Sequence, residues 1–148
     1  SHGYAWSRML IRHPALNGGE SFSASWDRTH QYTLGLETDL SRAFRLTAAW
    51  VMATGTPNVL AYTDGSEAER LSVYHRLDAS LAFRGLLAGR TFTAKVGVYN
   101  LYDRDNSWYR TAVPVAVASM HPGRLVQAAN VDVYDLGFQP SIELVLKF

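Results

Sequence analysis

The sequence predicts an all-β fold, in which antiparallel strands cross a membrane as part of the wall of a transmembrane β-barrel. Three observations lead to this prediction: ribbons of alternating apolar and polar side chains, connections that alternate between short and long, and aromatic residues at the ends of the apolar ribbons. Successive side chains of a strand point to opposite faces. An alternating strand therefore offers one face to lipid and the other to a water-filled lumen.

We expect six strands, in order along the chain near residues 1–12, 29–38, 43–54, 73–84, 91–103 and 137–148. The apolar ribbons of the last five strands include Leu34 and Leu36, Leu46 and Trp50, Leu77 and Leu81, Val96 and Val98, and Ile142 and Leu144. The fifth strand departs from the pattern at its end, where Asn100 falls on the apolar ribbon. We expect a β-bulge to redirect its side chain.

The connections between these strands are of two kinds. Residues 39–42 and 85–90 form tight turns, whereas about 13–28, 55–72 and 104–136 are long and rich in Gly, Pro, Asn, Asp and Ser. Bacterial barrels have short periplasmic turns and long extracellular loops. The alternation therefore predicts a side for every connection and places the carboxyl terminus at the periplasmic end.

Aromatic residues give an independent indication of two membrane interfaces. Four phenylalanines lie on the apolar side, next to a short turn or the terminus: Phe44, Phe83, Phe92 and Phe148. The ten-residue intervals Phe92–Tyr102 and Phe138–Phe148 project to roughly 25 Å for a tilted strand, which is the height of the apolar band of such barrels. The alternative is a soluble barrel or sandwich whose apolar face is simply its core, and the paired aromatics and loop asymmetry favour the membrane.

Composition excludes several other classes. The 148 residues are 47% hydrophobic and 18% charged, but no stretch approaches the length of a membrane-spanning helix, so strands must make any crossing. A net charge of +1 gives no electrostatic footprint for nucleic acid as a partner. The chain starts at Ser1 rather than Met, and we expect that its true beginning is missing.

No motif predicts catalysis, a metal site or a cofactor. The chain lacks cysteine, and its five histidines, at positions 2, 13, 30, 75 and 121, show no metal-ligand spacing. A Gly-x-Ser-x-Gly elbow is absent, and nothing orders Ser, His and Asp into a triad. We therefore expect a protein that is not an enzyme and that carries no metal or cofactor.

Five short motifs in order carry a family resemblance: Trp26-Asp27-Arg28-Thr29-His30, Thr54-Gly55-Thr56-Pro57, Tyr74-His75-Arg76-Leu77-Asp78, Val98-Tyr99-Asn100-Leu101-Tyr102-Asp103-Arg104, and a last strand with Gln139-Pro140-Ser141 that ends in Phe148. Together they cover almost the whole chain. The chain resembles the carboxyl-terminal part of a TonB-dependent outer-membrane receptor, of the type with an amino-terminal carboxypeptidase-regulatory-like domain.

The resemblance implies a 22-stranded barrel in the outer membrane of a diderm bacterium, closed inside by a plug domain and energised by the TonB complex for nutrient uptake. Residues 1–148 would be one partial barrel domain holding about the last six strands, without the plug or the earlier strands. The implied partners are outer-membrane lipid, the rest of the barrel with its plug, the barrel-assembly machinery and, in some relatives, a surface lipoprotein. The assembly machinery would recognise the terminal ribbon Ile142, Leu144, Leu146 and Phe148.

Two sets of residues are candidates for function. The ribbons opposite the apolar ones carry charges that we expect to face the lumen and to pair across strands or with the plug: Glu37, Arg45, Arg76, Asp78, Lys95, Glu143 and Lys147. The longest loop, Asp103–Leu136, holds aromatic and cationic residues able to stack on or pair with an anionic or sugar-like ligand: Trp108, Tyr109, Arg110, His121 and Arg124. The alternative for these aromatics is that they only anchor the membrane interface.

The ligand itself stays open, because iron chelates, cobalamin, oligosaccharides and peptides are all carried by the family. Three other functions are alternatives to transport. A barrel enzyme would need catalytic residues at one rim, and a soluble lipocalin-like binding module would need no detergent. A receptor-like barrel can also serve as a structural subunit of a larger surface complex.

Overall fold

The structure, a computed structural model, describes residues 1–58, 70–116 and 126–147. Its strands are β1 His2–Trp6, β2 Leu10–Arg12, β3 Ser21–Ser23, β4 His30–Asp39, β5 Phe44–Ala53, β6 Tyr74–Leu87, β7 Arg90–Tyr99, β8 Ser107–Ala116, β9 Val126–Tyr134 and β10 Gln139–Leu146, with a short 3₁₀ turn at Asn17–Gly19. The chain is all-β, as predicted from the alternating ribbons. Among the described residues, no helix has the length and apolar character needed to cross a membrane.

Six of these strands form one antiparallel sheet in the order β1-β4-β5-β6-β7-β10. Each of the six predicted strands contributes one of them, so the prediction of six antiparallel strands is confirmed. The sheet is open over the described residues, with β1 at one edge and β10 at the other. The remaining strands form two separate hairpins, β2–β3 and β8–β9.

The pairing register keeps the apolar ribbons together on one face of the sheet. Phe44 lies opposite Phe83 and Leu46 opposite Leu81 where β5 meets β6, and Ile142 lies opposite Val96 where β10 meets β7. A register slip of one residue would move all the apolar side chains of a strand to the opposite face of the sheet. The alternating sequence of each strand therefore specifies the register of every strand pair. The sheet therefore has one continuous apolar face.

That face is not covered by other described parts of the chain. Ile142 and Leu144 are 77% and 66% exposed, and Leu77 and Leu81 are partly exposed. Among the described residues, the buried hydrophobic residues are Ala24, Ala53 and Leu71, which are too few and too small for a hydrophobic core. An exposed apolar surface of this extent marks a surface that contacts lipid or another protein.

The opposite face carries the seven predicted charged residues, since the register puts them all on that side: Glu37, Arg45, Arg76, Asp78, Lys95, Glu143 and Lys147. Arg45 binds the carboxylates of Glu37 at 2.6 Å and Asp39 at 2.7 Å. Arg76 binds Asp78 at 2.9 Å, and Lys95 lies opposite Glu143. The exposed pairs of Arg45 add little stability, but all these charges keep the face polar.

Three sequence-based expectations on the strands were wrong. The first strand, expected over 1–12, stops at Trp6, and its remainder forms the β2–β3 hairpin. The strand expected over 73–84 continues as β6 to Leu87, so the turn is the pair Ala88-Gly89, with φ of 51° and 74°. Two residues with positive φ make the tight hairpin turn whose twist matches that of the strands. The connection 104–136 is also not a plain loop, because it contains the β8–β9 hairpin.

Candidate functional site

A cleft of about 310 Å³ opens on the charged face of the sheet, at the end that bears the long connections. Its polar and aromatic lining comes from the start of β4 and the segment just before it, the facing ends of β6 and β7, and the base of the β8–β9 hairpin: Arg28, Gln31, Tyr32, Thr33, Tyr74, Arg76, Tyr99, Trp108 and Asp135. Residues from distant parts of the chain therefore meet in one concave surface, which is the usual setting of a ligand site.

Asp135 organises the floor of this cleft. The hydroxyls of Tyr74 and Tyr99 both donate to its Oδ2, at 2.7 and 2.8 Å, and the backbone N–H of Leu136 donates to its Oδ1 at 2.8 Å. Arg76 Nη1 lies 3.5 Å from the same Oδ2. Although burial alone would raise the pKa of Asp135, the two tyrosine hydrogen bonds and the nearby guanidinium outweigh it and hold that pKa below its usual value.

Arg76 is tied to this floor through Nε and Nη1. Its Nη1 donates to the hydroxyls of Tyr74, at 2.8 Å, and of Tyr99, while Nε donates to Asp78. The guanidinium also lies 3.8 Å from the centre of the Tyr99 ring, a cation–π contact. This network fixes the rotamers of the floor and connects the sheet to the hairpin through Asp135.

Two further side chains line the cleft without being tied into that network. The guanidinium of Arg28 lies 5.6 Å from the centre of the Tyr74 ring. Trp108 is 57% exposed and sits where the β8–β9 register shifts by one residue. A β-bulge at such a position redirects a side chain, and here Trp108 lines the cleft.

The structure places the five loop residues named from the sequence in different surroundings. Trp108 lines the cleft, and Tyr109 is 51% exposed on β8. Arg110 pairs with Asp132 across the hairpin, so its charge is neutralised within the β8–β9 unit. His121 and Arg124 lie outside the described residues, as does Phe148.

Sequence reasoning missed Arg28, Tyr74, Tyr99 and Asp135 as parts of the site. Tyr74 and Tyr99 carried a signal, because both are aromatic residues on the polar ribbon near a strand end. Asp135 is 36 residues from Tyr99 and 61 from Tyr74. Nothing in the linear spacing indicates that these three side chains meet.

Buried asparagines form a junction between the end of β7 and the start of β10. Asn100 is fully buried with φ of 54°; its amide donates to the carbonyls of Arg104 and Leu136 at 2.9 and 3.1 Å and accepts from the N–H of Arg104. Asn106 binds both the N–H and the carbonyl of His75. The bulge expected at Asn100 is therefore a left-handed residue, which Asn tolerates better than most.

A second buried junction joins two long connections, between β1 and β4 and between β5 and β6, at the same end of the sheet. Asp27 is fully buried, binds Arg70 at 2.5 Å and accepts the N–H of Met9 at 2.7 Å. Arg70 also donates to the carbonyl of Gly55, where a side chain is impossible because an added Cβ would lie 1.8 Å from the carbonyl oxygen of Leu71. This Asp27 junction holds the connections in one arrangement.

The Asp27 junction predicts a pH-dependent loss of stability. Burial alone would raise the pKa of Asp27, but the hydrogen bonds from Arg70 and Met9 lower it below its usual value. Because the folded pKa lies below the unfolded value of about 3.9, the carboxylate stabilises the fold above that pH and the contribution is lost as pH falls through the folded pKa. Urea titrations of the full-length protein between pH 7 and pH 3 are the measurement.

We expect Asp27→Asn to lose about 2–3 kcal/mol at pH 7 and to show a flatter pH profile, because Arg70 keeps its charge without a counterion. Asp105→Asn removes the same charge at an exposed position and is the matched control. A variant at Asp27 that kept the wild-type stability and pH profile would contradict the role given to this junction.

No protein-family model, curated protein or solved structure matches this chain. Among the described residues, no group of three or more His, Asp or Glu side chains is placed to hold a metal ion. The described residues form a sheet with one exposed apolar face and, on the other face, a cleft whose side chains offer hydrogen bonds, charge and aromatic surface.

Proposed function

We propose that this chain forms a six-stranded segment of the wall of a transmembrane β-barrel in the outer membrane of a diderm bacterium, and that the barrel is a TonB-dependent receptor for nutrient uptake. One observation carries the proposal: a single antiparallel sheet exposes a continuous apolar face and directs its charges and its cleft to the other face. A wall with lipid outside and water inside has this distribution.

The two ends of the apolar face support the placement in a bilayer. At the end with the long connections, the hydroxyl of Tyr4 lies 2.9 Å from Nδ1 of His30, and that of Tyr102 lies 2.8 Å from Nδ1 of His75. At the other end, Phe44 and Phe83 pack with ring centres 5.1 Å apart. Polar-tipped rings suit a headgroup region, and belts of rings border the apolar band of membrane barrels.

The sheet edges favour a larger barrel. In the described residues β1 and β10 are each paired on one side, and every unsatisfied backbone group in lipid costs several kcal/mol. Further strands must therefore pair with both edges, either from the same polypeptide or from a second chain of a split receptor. Closure of a barrel removes such edges altogether.

The transport part of the proposal rests on the resemblance of the five motifs and on where they lie. The segment with Asp27 forms one buried junction and the segment with Asn100 forms the other, both at the end of the sheet that bears the long connections. This end would be extracellular, and the cleft lies there. A ligand would enter from that side, with the plug, the TonB complex and any surface lipoprotein as the partners that the resemblance implies.

Cysteine labelling tests whether β6 is a strand of a barrel wall. The 148 residues contain no cysteine, so single substitutions at Ser80, Leu81, Ala82 and Phe83 report one position each. In isolated outer membranes holding the full-length protein, we expect a water-soluble maleimide to label the first and third positions and to reach the second and fourth only after denaturation, because neighbouring residues face opposite sides. Equal labelling at all four, or the inverse pattern, would refute a lipid-facing apolar ribbon.

Growth screens test transport separately from the wall. Cells that lack this protein and cells that lack TonB should lose uptake of the same nutrient when supplied with iron chelates, cobalamin, oligosaccharides or peptides as the limiting source. A wall-like labelling pattern without any shared uptake defect would instead indicate a structural subunit of a surface complex.

A further inference from the structure

We propose that the cleft at Arg28, Tyr74 and Trp108 binds a carboxylate carried on a six-membered ring, such as a sugar acid or an aromatic acid. This inference rests on the proposed function in one respect, namely that ligands reach the polar face from outside. It goes beyond that function by naming the chemical class of ligand that the cleft binds.

The acceptors of the cleft floor are occupied. Both oxygens of Asp135 accept hydrogen bonds, from Tyr74 and Tyr99 at one oxygen and from the N–H of Leu136 at the other. Both oxygens of Asp78 accept as well, from Arg76 and from the N–H of Asn100. A ligand rich in donors, such as an amine, would therefore find no free carboxylate here.

The spare charged group of the cleft is a donor. Within the part of the chain that the structure describes, the guanidinium of Arg28 makes no hydrogen bond or ion pair, although it lies over the Tyr74 ring. Its five N–H groups are arranged for two parallel bonds to a carboxylate. Since Arg76 is already matched by Asp78 and Asp135, Arg28 gives the cleft one uncompensated positive charge, which favours an anion.

Aromatic surface and size define the rest of the ligand. Trp108 is 57% exposed and contributes a flat apolar surface, while its indole N–H is a donor only. Rings stack on such a surface, whether they are aromatic or the apolar face of a sugar. A volume of about 310 Å³ is at the low end for ligand sites, which suits a single ring rather than a long chain.

Matched pairs of small molecules test the class. Glucuronate against glucose, and benzoate against benzyl alcohol, differ in the carboxylate alone and separate the sugar from the aromatic source. Binding to the full-length protein in lipid nanodiscs is followed by calorimetry and by saturation-transfer NMR. We expect at least one acid to bind about tenfold or more tightly than its neutral counterpart, because a charge-assisted bidentate pair forms with Arg28. Equal binding within both pairs, or no binding of either acid, would overturn the proposal.

Variants test whether the preference for the acid arises in the cleft. Arg28→Gln and Trp108→Ala should each weaken binding of the preferred acid by about tenfold, and Arg28→Lys should weaken it less than Arg28→Gln because it keeps the charge without the planar fork. Arg84→Gln is the control, since Arg84 lies on the same polar face at the opposite end of the sheet. Loss of binding in Arg84→Gln equal to that in Arg28→Gln would indicate a general charge effect and refute the site.

The outcomes distinguish this inference from the proposed function. If the labelling of β6 alternates as expected for a barrel wall but neither acid is preferred, the proposed ligand class is wrong and the assignment of β6 to a barrel wall is retained. If the acid binds through Arg28 while β6 does not label as a wall, the cleft stands and the membrane assignment falls. Each variant is first checked for heat-dependent mobility in a detergent gel, so that a misfolded protein is not mistaken for a binding defect.

Discussion

Leu81→Arg is expected to destabilise the protein in lipid vesicles by about 2–4 kcal/mol, because in the proposed barrel wall it places an arginine on the lipid face near the middle of the bilayer. Leu81 lies near the middle of β6, and its neighbours across the strands are Leu46 and Val96 on the same apolar face. Urea titration of the full-length protein in bilayers, followed by tryptophan fluorescence, is the measurement.

Two control variants make this prediction specific to a membrane. Ser80→Arg changes the adjacent residue, which faces the polar side, and should cost well under half as much. Met52→Arg stays on the apolar face but lies at the rim, opposite His75, where the penalty falls to about 0–1 kcal/mol. A soluble core would not show this dependence on depth, so similar penalties at Leu81 and Met52 would count against the bilayer.

Asn100→Ala is expected to cost about 3–4 kcal/mol and is the second large effect. The substitution removes three hydrogen bonds at a fully buried position and leaves two carbonyls and one N–H without partners. It also forces alanine into a left-handed conformation, at φ of 54°, which costs roughly 1–2 kcal/mol. Equilibrium unfolding of the full-length protein measures the sum.

The two causes can be separated by substitution. Asn100→Gly loses the same hydrogen bonds but tolerates the positive φ, so it should be more stable than Asn100→Ala by about 1 kcal/mol. Asn17→Ala imposes the same kind of strain, at φ of 48°, on a residue whose side chain makes no hydrogen bond in the described structure. If Asn17→Ala cost as much as Asn100→Ala, the buried hydrogen bonds at the junction would not be its main contribution.

The sheet could be predicted from the sequence because its signal is local. Side-chain alternation has a period of two, so a ribbon such as Leu77, Ala79, Leu81 and Phe83 identifies both a strand and its faces without knowledge of its partner. Where the local signal was misleading, the boundary was wrong. Gly85 suggested a turn, but it lies within β6 beside the Phe83 ring, and the turn follows at Ala88.

The β8–β9 hairpin escaped prediction for a different reason. Its register shifts between Ser107 and Tyr109, which breaks the alternation at its start, and Pro114 lies in the strand opposite Ala128. Proline cannot donate to a sheet, so it argues against a strand except at an edge, and a two-stranded unit consists only of edges. The pattern therefore indicated a loop where the structure has a hairpin.

The cleft was only partly predictable because its contacts are not local. Trp108 was named from its type and its position in a long connection, but Asp135 meets Tyr74 only because β6, β7 and the base of the hairpin come together. Likewise Asp27 and Arg70 are 43 residues apart in the sequence. Charged and aromatic residues in a loop indicate that binding is possible. Which of their hydrogen-bond donors are already paired within the protein, and which are free for a ligand, is known only from the fold.

The base of the β8–β9 hairpin determines which sequence changes the sheet can tolerate. The chain leaves the sheet after Asn100 and returns to it before Gln139, and the two crossings lie side by side. Asn100 forms hydrogen bonds with both Arg104 and Leu136, and the N–H of Asp135 donates to the carbonyl of Asn106. The described parts of this insertion, residues 107–116 and 126–134, are therefore attached to the sheet at one point. We expect that the hairpin can be shortened, lengthened or replaced by an engineered display peptide without altering the strands beneath it.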